Sequence, residues 1–86
     1  MTYRFSRHAE WEILRRQISK EWLGILLESP EQQLHQPNGT ELLQSRFATN
    51  DGKIYLLRAV VAMDKEPPVV VTVYRTSKIE KYWRPE

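Results

Sequence analysis

Three ionisable residues near the start of the chain, His8, Glu12 and Arg16, follow one another at intervals of four. In a helix this spacing places side chains on one face. Glu12 would then pair with Arg16 and accept a hydrogen bond from the His8 imidazole, which would fix the tautomer of that ring. In this arrangement His8 is a candidate general acid or base. The alternative is a charged helix face in contact with water.

Arg58 is the only charged residue between Ile54 and Met63. A charge within such a strand is rarely buried unless it is paired. The guanidinium is therefore a candidate to bind an anion at the open end of a sheet. The alternative is an arginine at the sheet edge that is paired with a glutamate.

The polar side of the last predicted strand presents the hydroxyls of Thr72 and Tyr74. Antiparallel neighbours would bring further polar side chains to the same area: Gln44, Arg46 and Arg58, with Arg75 just beyond. Hydroxyl and guanidinium groups together suit a phosphodiester. Metal-free RNA cleavage requires a base for the 2′-hydroxyl, cations for the charge on phosphorus and an acid for the leaving oxygen. Histidine, arginine and tyrosine are able to share these roles. The alternative is an ordinary sheet face exposed to solvent.

The end of the chain alternates cations with aromatic rings: Lys78, Lys81, Tyr82, Trp83 and Arg84. Nucleic-acid bases stack on such rings while phosphates contact the cations. The alternative is that Ile79, Tyr82 and Trp83 pack a terminal helix onto the sheet.

Composition limits the other kinds of chemistry. The 86 residues carry a formal net charge of +2 and include no cysteine, so disulfides and thiolate metal sites are excluded. The two histidines, His8 and His35, show no metal-ligand spacing, and no glycine-rich phosphate loop occurs. We therefore expect no cofactor and no metal. No apolar run approaches the ~20 residues that span a bilayer, and we expect a cytoplasmic protein.

These side chains must be positioned by a small number of elements. Ser6 and Ser19 are candidate N-caps for helices at 7–17 and 21–28, the second of which is stopped by Ser29-Pro30. After the Pro37-Asn38-Gly39 turn, the apolar period changes from helical to two. Strands are predicted at 41–48, 53–63 and 69–75, with Asn50-Asp51-Gly52 as a hairpin turn and a further short strand at 3–5. A terminal helix is predicted at 78–83.

One domain over residues 1–86 follows from this length. The predicted fold is α+β, with two N-terminal helices packed on a three- to four-stranded antiparallel sheet and a short C-terminal helix. Val69, Val71 and Val73 are expected to share one face of the last strand. So small a domain has a narrow stability margin, and a homodimer or a bound partner would help to stabilise it.

Several runs of residues resemble a family of small bacterial domains of unknown function that is grouped with the BrnT and RelE-like toxins. The runs are Phe5-Ser6-Arg7-His8-Ala9, Arg16-Gln17-Ile18-Ser19, Gln44-Ser45-Arg46-Phe47, Tyr55-Leu56-Leu57-Arg58 and the segment from Val70 to Trp83. The chain departs from the family at two positions: Glu12 stands where a basic residue is common, and Gln17 stands where glycine is common.

The resemblance implies a RelE-like fold and a metal-independent endoribonuclease that is held in check by a small antitoxin protein encoded by a neighbouring gene. By position, the implied catalytic residues are His8, Arg16, Arg58, Thr72 and Tyr74. The residues that we expect to bind RNA are Arg46, Arg75, Lys78, Lys81 and Arg84. Two other classes of function remain open: a non-catalytic module that binds nucleic acid or protein, and a structural subunit that uses Trp11 or Trp22 as an anchor.

Overall fold

The computed structural model describes residues 2–85. Its elements, in chain order, are β1 (Arg4–Phe5), α1 (Arg7–Arg15), α2 (Lys20–Glu28), β2 (Gln32–His35), β3 (Thr40–Ala48), β4 (Ile54–Ala62), β5 (Val69–Thr76) and α3 (Ile79–Tyr82). None of the helices in this part of the chain is long and apolar enough to cross a membrane.

Serines begin both N-terminal helices, as the sequence predicts. The Ser6 hydroxyl accepts a hydrogen bond from the backbone N–H of Ala9 at 3.0 Å, and the Ser19 hydroxyl accepts one from Trp22 at 3.1 Å. Each bond satisfies a backbone donor that the first helical turn leaves free. The two predicted N-caps are confirmed.

Within residues 2–85, the sheet contains five strands in the order β1-β5-β4-β3-β2. β1 runs parallel to β5, and the other neighbours are antiparallel. The predicted fold, with two N-terminal helices on a three- to four-stranded antiparallel sheet of the RelE-like kind, is therefore wrong. The sheet is larger and mixed, and the two helices are short, with nine residues each.

Two strands account for this difference. β2 lies in the polar sequence Gln32-Gln33-Leu34-His35, which has no regular apolar alternation and therefore predicts a loop. Its extended form depends on pairing with β3 across the intervening turn. β1 consists of two residues that pair with Val69 and Val70 at the far end of the chain. The short strand predicted at 3–5 is confirmed, but its parallel pairing with β5 could not be predicted, because pairing at such a distance leaves no local sequence pattern.

One side of the sheet, which we call the helix face, packs against α1 and α2. Its buried core consists of Ala9, Ile18, Leu23, Leu26, Leu43, Leu57, Ala59, Val61, Val70 and Val73. A bulge in β5 leaves Val71 without a pairing partner on β4. The prediction that Val71 shares a face with Val69 and Val73 is consequently wrong: Val70 and Val73 are both buried in the core, while Val71 is exposed.

The opposite side of the sheet, which we call the α3 face, is covered in part by the C-terminal segment. Leu42 and Leu56 are buried on this face. Gln44 reaches the last helix, because its side-chain amide donates to the carbonyl of Tyr82 at 3.2 Å. The α3 face therefore has an interior that combines apolar and polar side chains.

Candidate anion-binding site around Arg58

Arg58 stands in the middle of β4, where Gln44 of β3 and Tyr74 of β5 are its direct neighbours in the sheet. The side chain of Arg58 donates from Nε to Gln44 Oε1 at 2.9 Å and from Nη1 to the Tyr74 hydroxyl. The ring of Tyr82 lies over the guanidinium, with its centroid 4.1 Å from the Cζ atom. Arg58 is 8% exposed in this position.

This buried cation has no acidic partner among residues 2–85. The ion pairs in that part of the chain use the carboxylates of Glu12, Glu31 and Glu41, and none of them reaches Arg58. Buried charges are normally paired, because the loss of hydration is costly. Arginine carries five N–H donors, and the bonds to Gln44 and Tyr74 use two of them. The site therefore keeps both positive charge and donors for an anion.

Two glutamines hold the guanidinium in place. Gln44, which is fully buried, accepts from Arg58 and donates through Nε2 to Gln32 Oε1 at 2.7 Å. Gln32 in turn bonds to the backbone of Arg84, donating to its carbonyl at 2.6 Å and accepting from its N–H at 3.2 Å. Neutral amides orient the arginine without cancelling its charge.

Tyr74 and Thr72 stand on the same face along β5. The Tyr74 hydroxyl accepts from Arg58, and its ring meets the ring of Tyr82 edge-on, with centroids 6.3 Å apart. A phenolic hydroxyl that accepts one hydrogen bond still has a proton to donate. Thr72 lies two residues earlier beside Val60, and its hydroxyl makes no hydrogen bond within the described part of the chain.

Arg46 lies on the same face, and its positive charge is paired with a carboxylate. Its guanidinium binds both carboxylate oxygens of Glu31, at 3.0 and 3.2 Å, and contacts the ring of Trp83 at 4.0 Å. The side-chain hydrogen bond from Arg46 holds the pKa of Glu31 below its ordinary value, against the opposing effect of burial. Arg46 therefore differs from Arg58 in having a carboxylate partner.

The predicted catalytic residues of α1 lie elsewhere. α1 packs on the helix face, so His8 and Arg16 are on the other side of the sheet from Arg58 and Tyr74. His8 is exposed, and its ring lies 6.3 Å from the ring of Trp11. The structure thus divides the predicted set, bringing Arg58, Thr72 and Tyr74 to one face and leaving His8 and Arg16 on α1.

Glu12 is buried on α1 and bonds to Arg16, as the spacing predicts, and also to Arg15. No hydrogen bond joins Glu12 to His8, although both belong to the described part of the chain. Burial acts to raise the pKa of the Glu12 carboxyl, but the hydrogen bonds and charges of Arg16 and Arg15 outweigh it, so the pKa is lowered. Glu12 is therefore a structural partner of these arginines on α1.

The other predicted RNA-binding cations are spread over two sides of the molecule. Arg75 lies on the helix face, with its guanidinium 5.1 Å from the ring of Tyr55. Lys78, Lys81 and Arg84 surround α3 and are exposed, and Lys81 lies 5.3 Å from the ring of Tyr82. Lys81 and Arg84 therefore border the Arg58 site, whereas Arg75 does not.

Two features of the site are hard to find from sequence. Gln44 occupies an inward-facing position in an alternating strand opposite Arg58, which is a weak signal of a buried polar pair. Nothing in the local pattern indicates that Gln32 belongs to the site, because β2 itself is not predicted.

The two tryptophans that are candidate anchors for a partner differ in exposure. Trp22 stacks on Phe47 at 5.0 Å beside the core, while Trp11 is 55% exposed.

No group of three or more histidine and acidic side chains within residues 2–85 is arranged to hold a metal ion.

Comparison with known proteins identifies a family: a model for a domain of unknown function, DUF4258, matches residues 5–75. The match includes Gln32, Gln44, Arg58 and Tyr74 and ends before α3. No curated protein matches the chain, and no solved structure does either. Because the family match covers most of its length, the chain belongs to the DUF4258 family of domains of unknown function.

Proposed function

We propose that the domain binds RNA at the Arg58 site and cleaves it without a metal ion. The observation that carries the proposal is the buried Arg58 guanidinium, which has neutral partners, no carboxylate among the described residues and a direct hydrogen bond to Tyr74. A guanidinium matches the oxygens of a phosphodiester, with two parallel N–H donors. The exposed cations that border the site supply attraction along an RNA backbone.

The proposed reaction is attack of the ribose 2′-oxygen on the adjacent phosphorus. The new P–O2′ bond forms as the P–O5′ bond breaks, the 2′-hydroxyl loses its proton to a base, and the departing 5′-oxygen gains one. Arg58 would stabilise the negative charge that develops on the phosphate oxygens. The Tyr74 hydroxyl, which is within hydrogen-bond distance of Arg58, would act as the acid that protonates the departing 5′-oxygen. Water would accept the proton of the 2′-hydroxyl, and the Thr72 hydroxyl would position the phosphate.

This reaction class and a proposed partner, a small antitoxin protein, come from the resemblance to BrnT and RelE-like toxins, which rests on short runs of residues and not on the fold. The helix layer offers a surface that suits a protein partner. A groove of about 410 Å³ runs between β1, α1 and α2 and is lined mainly by apolar side chains, among them Phe5, Ile13, Leu14 and Leu23. Leu14 is 75% exposed. Exposed apolar surface of this kind is typical of protein interaction sites.

A second candidate is a module that binds RNA without cleaving it. The observation that favours it is the position of His8, which lies on α1 and leaves the Arg58 site without an imidazole. In this case the arginine and its neighbouring hydroxyls would serve only to hold phosphate.

Purified protein and a fluorescently labelled single-stranded RNA distinguish these proposals when EDTA is present throughout. Arg58→Gln should weaken RNA binding by on the order of tenfold, because a charged hydrogen-bond donor is lost. Tyr74→Phe should preserve binding and lower cleavage by about 10²–10⁴, the usual range for loss of a proton-transfer group. Arg7→Gln is the matched control, since it removes an exposed cation of α1, and it should change neither property strongly.

Three results would decide the matter. Intact RNA with binding that still depends on Arg58 would select the non-catalytic module. Cleavage that survives Tyr74→Phe unchanged would remove Tyr74 from the reaction. Equal effects of Arg58→Gln and Arg7→Gln on RNA binding, with both variants folded by circular dichroism, would overturn the site itself.

A further inference from the structure

The guanidinium of Arg58 is covered by the protein's own C-terminal segment. Tyr82 lies over it at 4.1 Å, and only 8% of Arg58 remains exposed. The stacking face of the guanidinium is therefore already occupied. A ligand that uses this face has to take the place of the segment at 79–84.

The segment is held by aromatic and polar contacts and by no buried residue of its own. Besides the Tyr82 ring on Arg58, the Trp83 ring contacts the Arg46 guanidinium at 4.0 Å, and the Tyr82 ring meets the Tyr74 ring edge-on at 6.3 Å. α3 has four residues, none of them buried, and its first turn has no side-chain cap. Three hydrogen bonds fix the backbone of Tyr82 and Arg84, all of them to the side chains of Gln44 and Gln32. Segments with few buried apolar contacts open at low free energy. Displacement of α3 therefore leaves the core of the helix face intact.

Each of these contacts has the chemistry of a contact to a nucleotide. Arginine planes stack on nucleobases as they do on aromatic side chains. The Gln32 amide binds the N–H and the carbonyl of Arg84 together, and glutamine binds a donor–acceptor pair on a base edge in the same bidentate way. The Tyr82 ring thus lies where a nucleobase would stack on the guanidinium. The backbone groups of Arg84 lie where the polar edge of that base would form hydrogen bonds.

We infer that residues 79–84 occupy, as an internal ligand, a nucleobase subsite formed by Arg58, Gln44 and Gln32. This inference rests on the proposed binding of RNA at Arg58 and specifies how the RNA is held. A base from a single strand replaces the Tyr82 ring on the guanidinium plane, and its edge bonds to the Gln32 and Gln44 amides. The N–H edge of Arg58 remains available to the phosphate. In the closed form, residues 79–84 cover the subsite, and in the open form they do not. Because the closed form dominates, the apparent affinity for RNA is the intrinsic affinity multiplied by the fraction of molecules that are open.

Removal of the ring tests the inference directly. Tyr82→Ala should bind a labelled single-stranded RNA more tightly by on the order of tenfold, because the competing ring–guanidinium contact is gone. Tyr82→Phe should behave like the wild type, since the Tyr82 hydroxyl makes no hydrogen bond within the described residues. Tyr55→Ala is the matched control, because that tyrosine contacts Arg75 on the helix face, and it should not tighten binding.

Two further experiments distinguish the possible outcomes. In the Tyr82→Ala background, Arg58→Gln should abolish the gain in affinity, and an abasic oligonucleotide of the same length should show little gain. Amide hydrogen exchange of the wild type supplies a measurement without substitution. The N–H of Trp83 bonds to Ile79 and that of Arg84 bonds to Gln32, and both should exchange faster when RNA binds.

The inference is overturned if Tyr82→Ala binds RNA no more tightly than the wild type, or if RNA slows exchange at Trp83 and Arg84. In either case, RNA binding that still depends on Arg58 leaves the proposed function standing. An equal gain with the abasic strand rejects the nucleobase and leaves only phosphate binding. RNA affinity that is indifferent to Arg58 in both backgrounds rejects the proposed function instead.

Discussion

Gln17 ends α1 in a backbone conformation that residues with a Cβ atom avoid. Its φ is 52°, and it is the one non-glycine residue with positive φ in the described part of the chain. The N–H of Ile18 bonds back to the carbonyl of Ile13 at 3.0 Å, which closes the last turn. Helices commonly end in this way with glycine in the left-handed position. Glycine, which adopts this conformation without a clash from Cβ, therefore suits position 17 better than glutamine does.

Gln17→Gly should therefore raise the free energy of unfolding. We expect a gain of about 1 kcal/mol, the usual cost of the left-handed conformation for a residue with a Cβ atom. Urea unfolding followed by circular dichroism measures it. Gln17→Ala is the control, because it removes the exposed side chain but keeps Cβ and should bring no such gain. A glycine variant less stable than the alanine variant would contradict the assigned role of φ.

The sequence identifies Arg58 as a residue of interest but not its partners. A lone charge in an apolar strand predicts either an anion site or a pair with glutamate. Within residues 2–85 the structure excludes the glutamate pair, because a buried amide and a phenol hold the guanidinium. Gln44 and Tyr74 are distant from Arg58 in sequence, so only the register of three strands brings them together. The spacing of His8, Glu12 and Arg16 likewise predicts one helix face but not the side of the sheet on which the helix packs.

At the scale of elements, one serine joins the first helix to the last strand. The Ser6 hydroxyl caps α1 at Ala9 and also donates to the carbonyl of Val71 at 2.7 Å, while the Ser6 N–H donates to Val70 at 2.9 Å. Val71 is the extra residue of the bulge in β5. The bulge therefore turns a carbonyl away from the β4 ladder and gives it a partner in the cap of α1.

Ser6→Ala should accordingly cost more stability than the loss of a cap alone. We expect about 2 kcal/mol, because a capping bond and a second hydrogen bond disappear together. Ser19→Ala is the matched control, since Ser19 caps α2 through a single side-chain bond, and it should cost about 1 kcal/mol. Chemical denaturation of both variants under one condition gives the comparison. Equal losses would show that the bond to Val71 contributes nothing.

Elements with strong local patterns could be predicted, whereas a polar strand and a pairing between distant segments could not. β3 and β4 alternate and flank a turn at Asn50-Asp51-Gly52, so their hairpin is visible in the sequence. β2 has no such alternation, and the short strand predicted at 3–5 gives no sign that it pairs in parallel with β5. The bulge at Val71 shifts the following side chains by one position, so a prediction from strict alternation assigns the residues on one side of the bulge to the wrong face. These three features separate the predicted antiparallel sheet from the observed mixed one.

At the scale of the whole molecule, the sheet separates two surfaces of different chemistry. The α3 face carries the buried cation and the ring that covers it, whereas the helix layer carries an apolar groove with Leu14 exposed on it. If the domain is a toxin with an antitoxin partner, the two ligands can be bound on opposite sides. Substitutions on one side should then leave the ligand of the other side unaffected.

Leu14→Glu should weaken binding of the protein encoded by the adjacent gene by on the order of tenfold or more, because a charge would be buried in an apolar contact. The same variant should bind single-stranded RNA like the wild type, while Arg58→Gln should show the reverse pattern. Isothermal titration with each ligand measures both effects on folded protein. Leu14 is suited to this test because it is exposed, so its replacement removes no core contact. If the adjacent gene product does not bind, or if Leu14→Glu instead converts a dimer to a monomer in sedimentation, the groove belongs to a second copy of the chain or to no partner, and the antitoxin proposal fails.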